Sequence, residues 1–447
     1  MDYDVIVIGA GPAGKNVALN LEKSGLHVAI IEKDRVGGTC LNEGCIPAKL
    51  YLESSSYVAK LKHFSNYGVH VDNLSFDLEE LKTKKDELLT LLRDGAIGKL
   101  DKSKVEFFQG EATFVDKNSV KVEDKILSAD KIIIASGSTH RPHPLLEIDG
   151  KQIISSKEVF ELKNLPKSVL VVGGGAIGCE FATFFNSLGA EVHIAEFTSQ
   201  IVPAEDSDVA KALQRELQKK GIKITVDANV TSFEKKQNSI EITMQTKNKE
   251  LIADYGLVLV SIGRAPNTAN LKLENADIQS ERGFVTVSEQ LQTSTSNIYA
   301  LGDVIPTPAL AHAAYNEADI LASNIINNST CKPSKIIPFV TFCQPQVASI
   351  GKNEKTLKAE GTEYKVVKHF FKSSAKAKIK GDDGGFIKLL CEKETGIILG
   401  GAMIGHDTTE LIHELLIAIE KKTSLEEISK MVFAHPTLSE SLWEMTR

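Results

Sequence analysis

Cys40 and Cys45 stand in the run Gly37-Gly38-Thr39-Cys40-Leu41-Asn42-Glu43-Gly44-Cys45-Ile46-Pro47-Ala48-Lys49, two thiols separated by four residues. A disulfide closing so short a loop is a weak staple, worth about 2 kcal/mol on the chain-entropy account, so electron exchange is the more productive chemistry for the pair. Pro47 suits the first turn of a helix, which would put Cys45 just ahead of a helix N-terminus, where the macrodipole favours thiolate over thiol. Two other readings stand beside this one: a pair of small buried apolar residues, or half of a metal site. No second C-x-x-C or C-x-x-H set accompanies the pair, and no metal is expected. The other four cysteines (Cys179, Cys331, Cys343, Cys391) are scattered, and six in 447 residues are too few for a disulfide scaffold.

Redox thiols need somewhere to send electrons, and the chain carries one nucleotide-binding pattern twice. Laying Asp4 to Glu32 over Ser168 to Glu196 puts Gly9, Gly11, Gly14, Ala18, Gly25, Val28, Ile30 and Glu32 on identical residues. Each copy runs from an apolar β-branched stretch through G-x-G-x-x-G into helical spacing, then to a second strand ending in an acid. In such a motif the first glycine permits a tight turn, the second admits a pyrophosphate to the backbone, and the third lets helix pack on strand. Glu32 and Glu196 each follow the third glycine by eighteen residues, a spacing suited to holding ribose hydroxyls. The competing reading of a single G-x-G-x-x-G is a turn that joins strand to helix with no ligand. Two complete copies suggest two dinucleotides that exchange electrons, most simply a flavin and a nicotinamide. Glu196 favours NAD over NADP, since a carboxylate repels a 2′-phosphate and no Arg occurs in Phe197-Thr198-Ser199-Gln200.

Further along, Asn297 to Asp303 reads as a strand ending in Gly-Asp, where Asp303 is either a turn acid or a contact to a hydroxylated cofactor tail. Thr307-Pro308 offers an N-cap and first-turn proline for a helix over Ala309 to Ile326, whose positive end would favour negative charge above the strand ends. Leu74 to Leu100, with Leu81, Leu88, Leu89 and Leu92 at helical spacing, is read as an amphipathic helix packed on its own domain rather than a partner-binding face. Lys372 to Lys380 is read as a solvated Lys-rich loop. Near the C-terminus, Thr437-x-x-Glu440 is a capping-box pattern beside His435, so Glu440 is either a cap or the group that orients an imidazole.

At roughly 150 residues per domain the length implies about three domains. With 42% hydrophobic and 25% charged residues the composition is that of a globular protein. A net charge of −7 lacks the basic footprint of a nucleic-acid binder, and no nucleic acid is expected as partner. No stretch has the length and apolarity of a membrane span, and the apolar start Val5 to Ala10 lacks the basic flank of a signal peptide. The expectation is a cytoplasmic protein with no membrane partner.

Taken together, Gly9 to Gly14, Gly37 to Lys49, Ala135-Ser136-Gly137-Ser138, Gly173 to Glu180, Gly263-Arg264-Ala265-Pro266-Asn267-Thr268, Gly302-Asp303 and His435-Pro436-Thr437-Leu438-Ser439-Glu440 run nearly end to end. On these motifs the chain resembles the pyridine nucleotide-disulfide oxidoreductases, and most of all the branch that oxidises dihydrolipoyl groups. The resemblance implies an α/β fold with two Rossmann-like dinucleotide-binding domains and a C-terminal α+β dimerisation domain. Its divisions would be an FAD domain over residues 1–145, an NAD domain over 146–265, a central domain over 266–335 and a dimerisation domain over 336–447. FAD would be held by Gly9, Gly11, Gly14, Glu32, Lys49, Gly137, Asp303 and Ala311, and NAD by Gly173, Gly175, Gly178 and Glu196, with Gly263 a further cofactor-binding residue. Lys49 and Glu180 would form an ion pair beside the flavin. Cys40 would meet the substrate and Cys45 the flavin, while His435, oriented by Glu440, would move the thiol proton.

The implied reaction oxidises protein-bound dihydrolipoyl groups to the lipoyl disulfide and reduces NAD. The implied assembly is a homodimer in which His435 and Glu440 of one subunit complete the site of the other. No lipoyl domain is recognised in the chain, so its partner would be a lipoyl-bearing protein of a 2-oxo acid dehydrogenase complex or glycine cleavage system. The alternatives are another disulfide reductase of the family with a different thiol substrate, and a non-catalytic FAD-binding redox-sensing subunit. Ala176 stands where glutathione-type reductases carry a gating tyrosine. Ser136, Ala48 and Glu43 depart from the usual residues.

Overall fold

The apolar runs at the head of each repeat become the inner strands of two parallel sheets, because strands covered by helices on both faces need side chains apolar on both sides. In a computed structural model, which describes residues 1–61 and 64–447, the chain packs as two compact units. Residues Met1–Leu50, Glu79–Arg141 and Gly263–Ser334 make the first; Tyr51–Leu78, Pro142–Ile262 and Lys335–Arg447 make the second.

In the first unit the strands Glu106–Gln109, Val28–Glu32, Tyr3–Ile8 and Lys125–Ile134 lie side by side, and Ile298–Ala300 continues the parallel set on the far side of Lys125–Ile134. The first half of Lys125–Ile134 pairs antiparallel with Ser119–Val122, which pairs with Ala112–Asp116. Helix Pro12–Lys23 follows the first strand, buries Val17, Ala18 and Leu21, and is tied to helix Ala311–Asn327 by Asn16 and Asn20, both donating to Asp319.

In the second unit the parallel order is Lys223–Thr225, Glu191–Ala195, Ser168–Val172, Leu257–Val260, Ile153–Ile154. The two copies share one register: Val5 pairs Val28 as Val169 pairs Val192, and Ile8 pairs Ile31 as Val172 pairs Ala195. The duplication read in the sequence is therefore a duplication of structure. Three antiparallel strands (Asn229–Lys235, Ile240–Gln245, Glu250–Tyr255) form a separate ribbon. The C-terminal part is an antiparallel sheet in the order Phe339–Thr341, Gln346–Gly351, Ile398–Gly405, Phe386–Glu392, Tyr364–Phe370. Helix Thr408–Glu420 lays Leu411, Ile412, Leu415 and Ile419 into its core and leaves Ile417 exposed. Among the described residues no helix is long and apolar enough to cross a membrane.

Three local expectations are corrected. The segment before helix Ala311–Asn327 is spent on tight turns, with Leu310 N–H bonded to Pro308 O, so the helix starts two residues late without a Thr307 cap. The Lys-rich segment contains a short helix, Ala375–Lys380, capped by Ser374 and closed by Gly381 in the left-handed region, where a residue without Cβ is unstrained. The Leu-rich helix runs Leu78–Asp101; Leu81 and Leu89 are buried, but Leu92 faces solvent.

Candidate active site

The cysteine loop begins with a short helix, Gly38–Asn42, and a second helix, Cys45–Leu61, starts on Cys45 itself rather than just after it. Cys45 thus sits in the first turn, where unpaired N–H groups favour negative charge. The structure carries both residues as thiols, Cys40 half-buried and Cys45 exposed. They are in hydrogen-bond contact, and the bond to Cys45, burial and the neighbouring sulfur together drive the Cys40 thiol far above its ordinary range. Lys49, one helical turn beyond Cys45, acts the other way and favours the Cys40 thiolate.

Both dinucleotide motifs have the geometry their spacing implied. A Cβ on Gly14 would lie 1.9 Å from Gly9 O, and one on Gly178 would lie 2.0 Å from Gly173 O, so these third glycines are required for helix to meet strand. Gly9 and Gly173 have φ of +106° and +104°, which glycine adopts without strain. The middle glycines differ. A Cβ on Gly175 would meet nothing within 4 Å, and one on Gly11 only Gly38 Cα at 3.9 Å. Those glycines are the N-caps of helices Pro12–Lys23 and Ala176–Ser187, and among the described residues no side chain caps either helix. Open space over bare helix N-termini fits the pyrophosphates of two dinucleotides.

Glu32 and Glu196 are buried and held alike. Glu32 Oε2 accepts from Ala10 N–H at 2.7 Å and Oε1 from Asp34 N–H at 2.9 Å; Glu196 Oε2 accepts from Gly174 N–H at 2.6 Å and Oε1 from Thr198 N–H at 2.7 Å. Each carboxylate is thus anchored at the end of its second strand with lone pairs to spare for a ribose.

The segments Ala135–Ser138 and Gly263–Thr268 prove to be one structure. Ser138–His140 pairs antiparallel with Arg264–Pro266, and Gly137 O accepts from Asn267 N–H at 2.9 Å. From this ladder Arg264 Nε donates to Ser138 Oγ at 2.7 Å and lies 3.7 Å from Asp303, whose Oδ2 accepts from Ser138 Oγ–H at 2.5 Å. Arg264 also reaches Thr39 Oγ1 at 3.5 Å, next to Cys40. Burial weakens its hold on the proton, while Asp303, Cys45 and Glu43 strengthen it. The Gly302-Asp303 turn is pinned from behind by buried Glu317, which accepts from Gly302 N–H at 2.6 Å. Ala311 opens the helix that carries Glu317, with no side-chain cap.

In the second unit Glu180 is buried and accepts from Phe342 N–H at 2.9 Å. His435 is 74% exposed at its side chain, and its Nδ1 lies 2.9 Å from Glu440 Oε2. An ionised carboxylate only accepts, so Nδ1 carries the hydrogen and Nε2 keeps its lone pair outward. Glu440 also caps: its Oε1 accepts from Thr437 N–H, and Thr437 Oγ1 accepts from Glu440 N–H. The two readings of Glu440 coexist, one on each carboxylate oxygen.

Residues 3–318 match the family described as pyridine nucleotide-disulphide oxidoreductase, and residues 337–446 match its dimerisation domain. The chain belongs to the pyridine nucleotide-disulphide oxidoreductases. It is 36% identical to the mitochondrial dihydrolipoyl dehydrogenase of Pisum sativum, across 99% of this chain and 90% of the pea protein. It is likewise 36% identical to the dihydrolipoyl dehydrogenase of Chlamydia pneumoniae, across 98% and 95%. Among solved structures it superposes on the HOCl-induced flavoprotein disulfide reductase RclA of Escherichia coli with a TM-score of 0.89, at 27% identity and 99% coverage of both chains.

Oxidoreductases of this kind work with FAD and NAD(H), the two dinucleotides for which this chain has matching cradles. Sequence reasoning missed Arg264, Ser138 as its partner, and Glu317. Arg264 and Ser138 lie inside the motifs Gly263–Thr268 and Ala135–Ser138, where their charge or hydroxyl was the available signal; Glu317, on a predicted helix, had none.

Proposed function

We propose that this oxidoreductase is a dihydrolipoyl dehydrogenase, oxidising protein-bound dihydrolipoyl groups and reducing NAD+. The observation that carries the reading is the pair of mutually hydrogen-bonded thiols at a helix start, in the same unit as a complete dinucleotide cradle. In its oxidised form the pair is a Cys40–Cys45 disulfide. Nε2 of His435 removes the proton of one substrate thiol; that sulfur attacks Cys40, a mixed disulfide forms, and Cys45 leaves as thiolate. The second substrate thiol displaces Cys40, giving the lipoyl disulfide and the dithiol. Cys45 is the better leaving group because it lies in the first turn of helix Cys45–Leu61, whose N-terminal end favours a thiolate. Glu440 keeps His435 in the tautomer that can accept a proton. Bound FAD supplies a two-electron relay between the dithiol and NAD+.

The residue roles belong to the same proposal. Gly9, Gly11, Gly14, Glu32, Gly137, Asp303 and Ala311 hold FAD, with Lys49 and Glu180 as an ion pair beside it; Gly173, Gly175, Gly178 and Glu196 hold NAD, and Gly263 is a further cofactor-binding residue. The four-part division at residues 145, 265 and 335 and a cytoplasmic location go with it. The exposed His435 fits a homodimer in which it serves the cysteine pair of the other subunit, and the lipoyl arm belongs to a 2-oxo acid dehydrogenase complex or glycine cleavage system.

The test is rapid-mixing absorbance of the FAD-loaded protein with dihydrolipoamide and NAD+. NADH is expected at catalytic rates, with none from glutathione, and Cys45→Ser is expected to abolish it. Unchanged turnover in that variant, or preference for glutathione, would overturn the reading.

A further inference from the structure

We propose that Arg93 is a positioning residue for the redox thiols, bracing the Cys40–Cys45 loop through Asn42 and so favouring its reduced form. The inference rests on the redox role proposed above for the pair. Asn42 lies inside the loop, two residues after Cys40 and three before Cys45, and is buried. Its amide nitrogen donates to the carbonyls of Val36 at 3.2 Å and Gly38 at 3.0 Å, the backbone that leads into Cys40. Its amide oxygen accepts from Arg93 Nε at 3.0 Å. A guanidinium has donors and no acceptor, so this bond fixes which end of the amide faces which way. The bond to Gly38 O then spans the short helix Gly38–Asn42, with Cys40 at its centre.

Arg93 comes from the long helix Leu78–Asp101, whose Ala96 and Leu100 belong to the core of the first unit. The brace therefore runs from a packed element to the loop. It acts on the thiols in two ways of the same sign. It holds the helical turn that carries Cys40 in the arrangement it has with both sulfurs as thiols, and a brace on that arrangement favours the dithiol. It also ties a cation to the loop through Asn42, and positive charge favours the state that bears a thiolate. Both stabilise the reduced pair, so Arg93 raises its reduction potential. This gives the Leu-rich helix a function on its own domain.

The FAD-loaded protein is equilibrated with graded ratios of reduced and oxidised dithiothreitol, its thiols are trapped by alkylation, and the Cys40–Cys45 peptide is quantified by mass spectrometry. The remaining four cysteines are internal controls. In Arg93→Met, which keeps much of the apolar stem, the dithiol is expected to be disfavoured about tenfold, about 30 mV more negative for a two-electron couple. Arg93→Lys, which keeps the charge without the planar fork, is expected to fall between. FAD content is expected to stay at the wild-type level. A midpoint in Arg93→Met equal to that of the wild type overturns the proposal. If that variant does not fold, Arg93→Lys decides: a negative shift supports the brace, and an unshifted midpoint rejects it. If the wild-type pair does not cycle between disulfide and dithiol at all, the redox reading itself fails, which is seen before any Arg93 variant is compared.

Discussion

At the scale of single residues, the His435–Glu440 pair makes the sharpest prediction, because its geometry fixes a tautomer. Glu440→Gln keeps the size of the side chain but can turn an amide N–H toward Nδ1, stabilising the form with hydrogen on Nε2, which cannot accept a proton. We expect His435→Gln and Glu440→Gln both to lower kcat/KM for dihydrolipoamide by 10²-fold or more, within the usual range for loss of a general base, with FAD content unchanged. Steady-state assays with flavin quantification check this; wild-type kinetics in Glu440→Gln would reduce Glu440 to a cap. The pair was half legible in sequence. Thr437-x-x-Glu440 announced a cap and the family resemblance implied a base at His435, but only the folded arrangement shows the two carboxylate oxygens dividing these jobs. Arg264 was illegible for a different reason: its partners Thr39 and Ser138 lie 225 and 126 residues away, and no local pattern encodes so distant a meeting.

At the scale of elements, the repeated glycines separate packing from ligand space. Gly14 and Gly178 have no room for a Cβ, whereas Gly11 and Gly175 do. Gly14→Ala should push its helix off the strand, costing roughly 3 kcal/mol or more and releasing FAD together with stability. Gly11→Ala should leave the apoprotein's melting temperature nearly unchanged yet weaken FAD, since the methyl intrudes only on the bound pyrophosphate. In the second copy, Gly175→Ala should raise the KM for NAD+ in a protein that stays yellow. Melting curves of apo and loaded protein check the first pair, and kinetics the last; equal melting temperatures in Gly11→Ala and Gly14→Ala would refute the distinction. The strand-helix-strand units were legible because their glycines and acids have fixed jobs at fixed spacing, and even the shared register followed from identical positions. Helix starts were less so. Thr307-Pro308 has the chemistry of an N-terminus, but local turns consumed that segment.

At the scale of the whole molecule, the dependence of stability on pH should be set in part by two desolvated groups of the second unit that titrate in opposite senses. His193 is enclosed between Tyr255 Oη at 2.6 Å and Thr225 Oγ1 at 2.8 Å; burial, helped by Lys223, holds it down to about 4 against an ordinary 6.5. The unfolded chain therefore takes up that proton first, and the stability His193 contributes above 6.5 is lost as pH falls toward 4. Glu205 is half-buried against Ser349; its desolvation and Asp206 push it up to about 7 against an ordinary 4.5, although the Ser349 hydroxyl opposes the shift. Here the folded chain holds the proton more tightly, so the contribution is present below 4.5 and lost as pH rises through 7. Between pH 4.5 and 6.5 the two slopes cancel. Over those two pH units each amounts to roughly 3 kcal/mol. Removing one should unmask the other. Relative to the wild type, Glu205→Gln should gain about 3 kcal/mol on going from pH 4.5 to 6.5, and His193→Gln should lose about as much. Trp443, the one tryptophan in the sequence, lies in the second unit and reports its denaturant unfolding. Pairs of curves at the two pH values test the argument, and variants whose pH profiles run parallel to the wild type would show that neither group changes its proton affinity on folding.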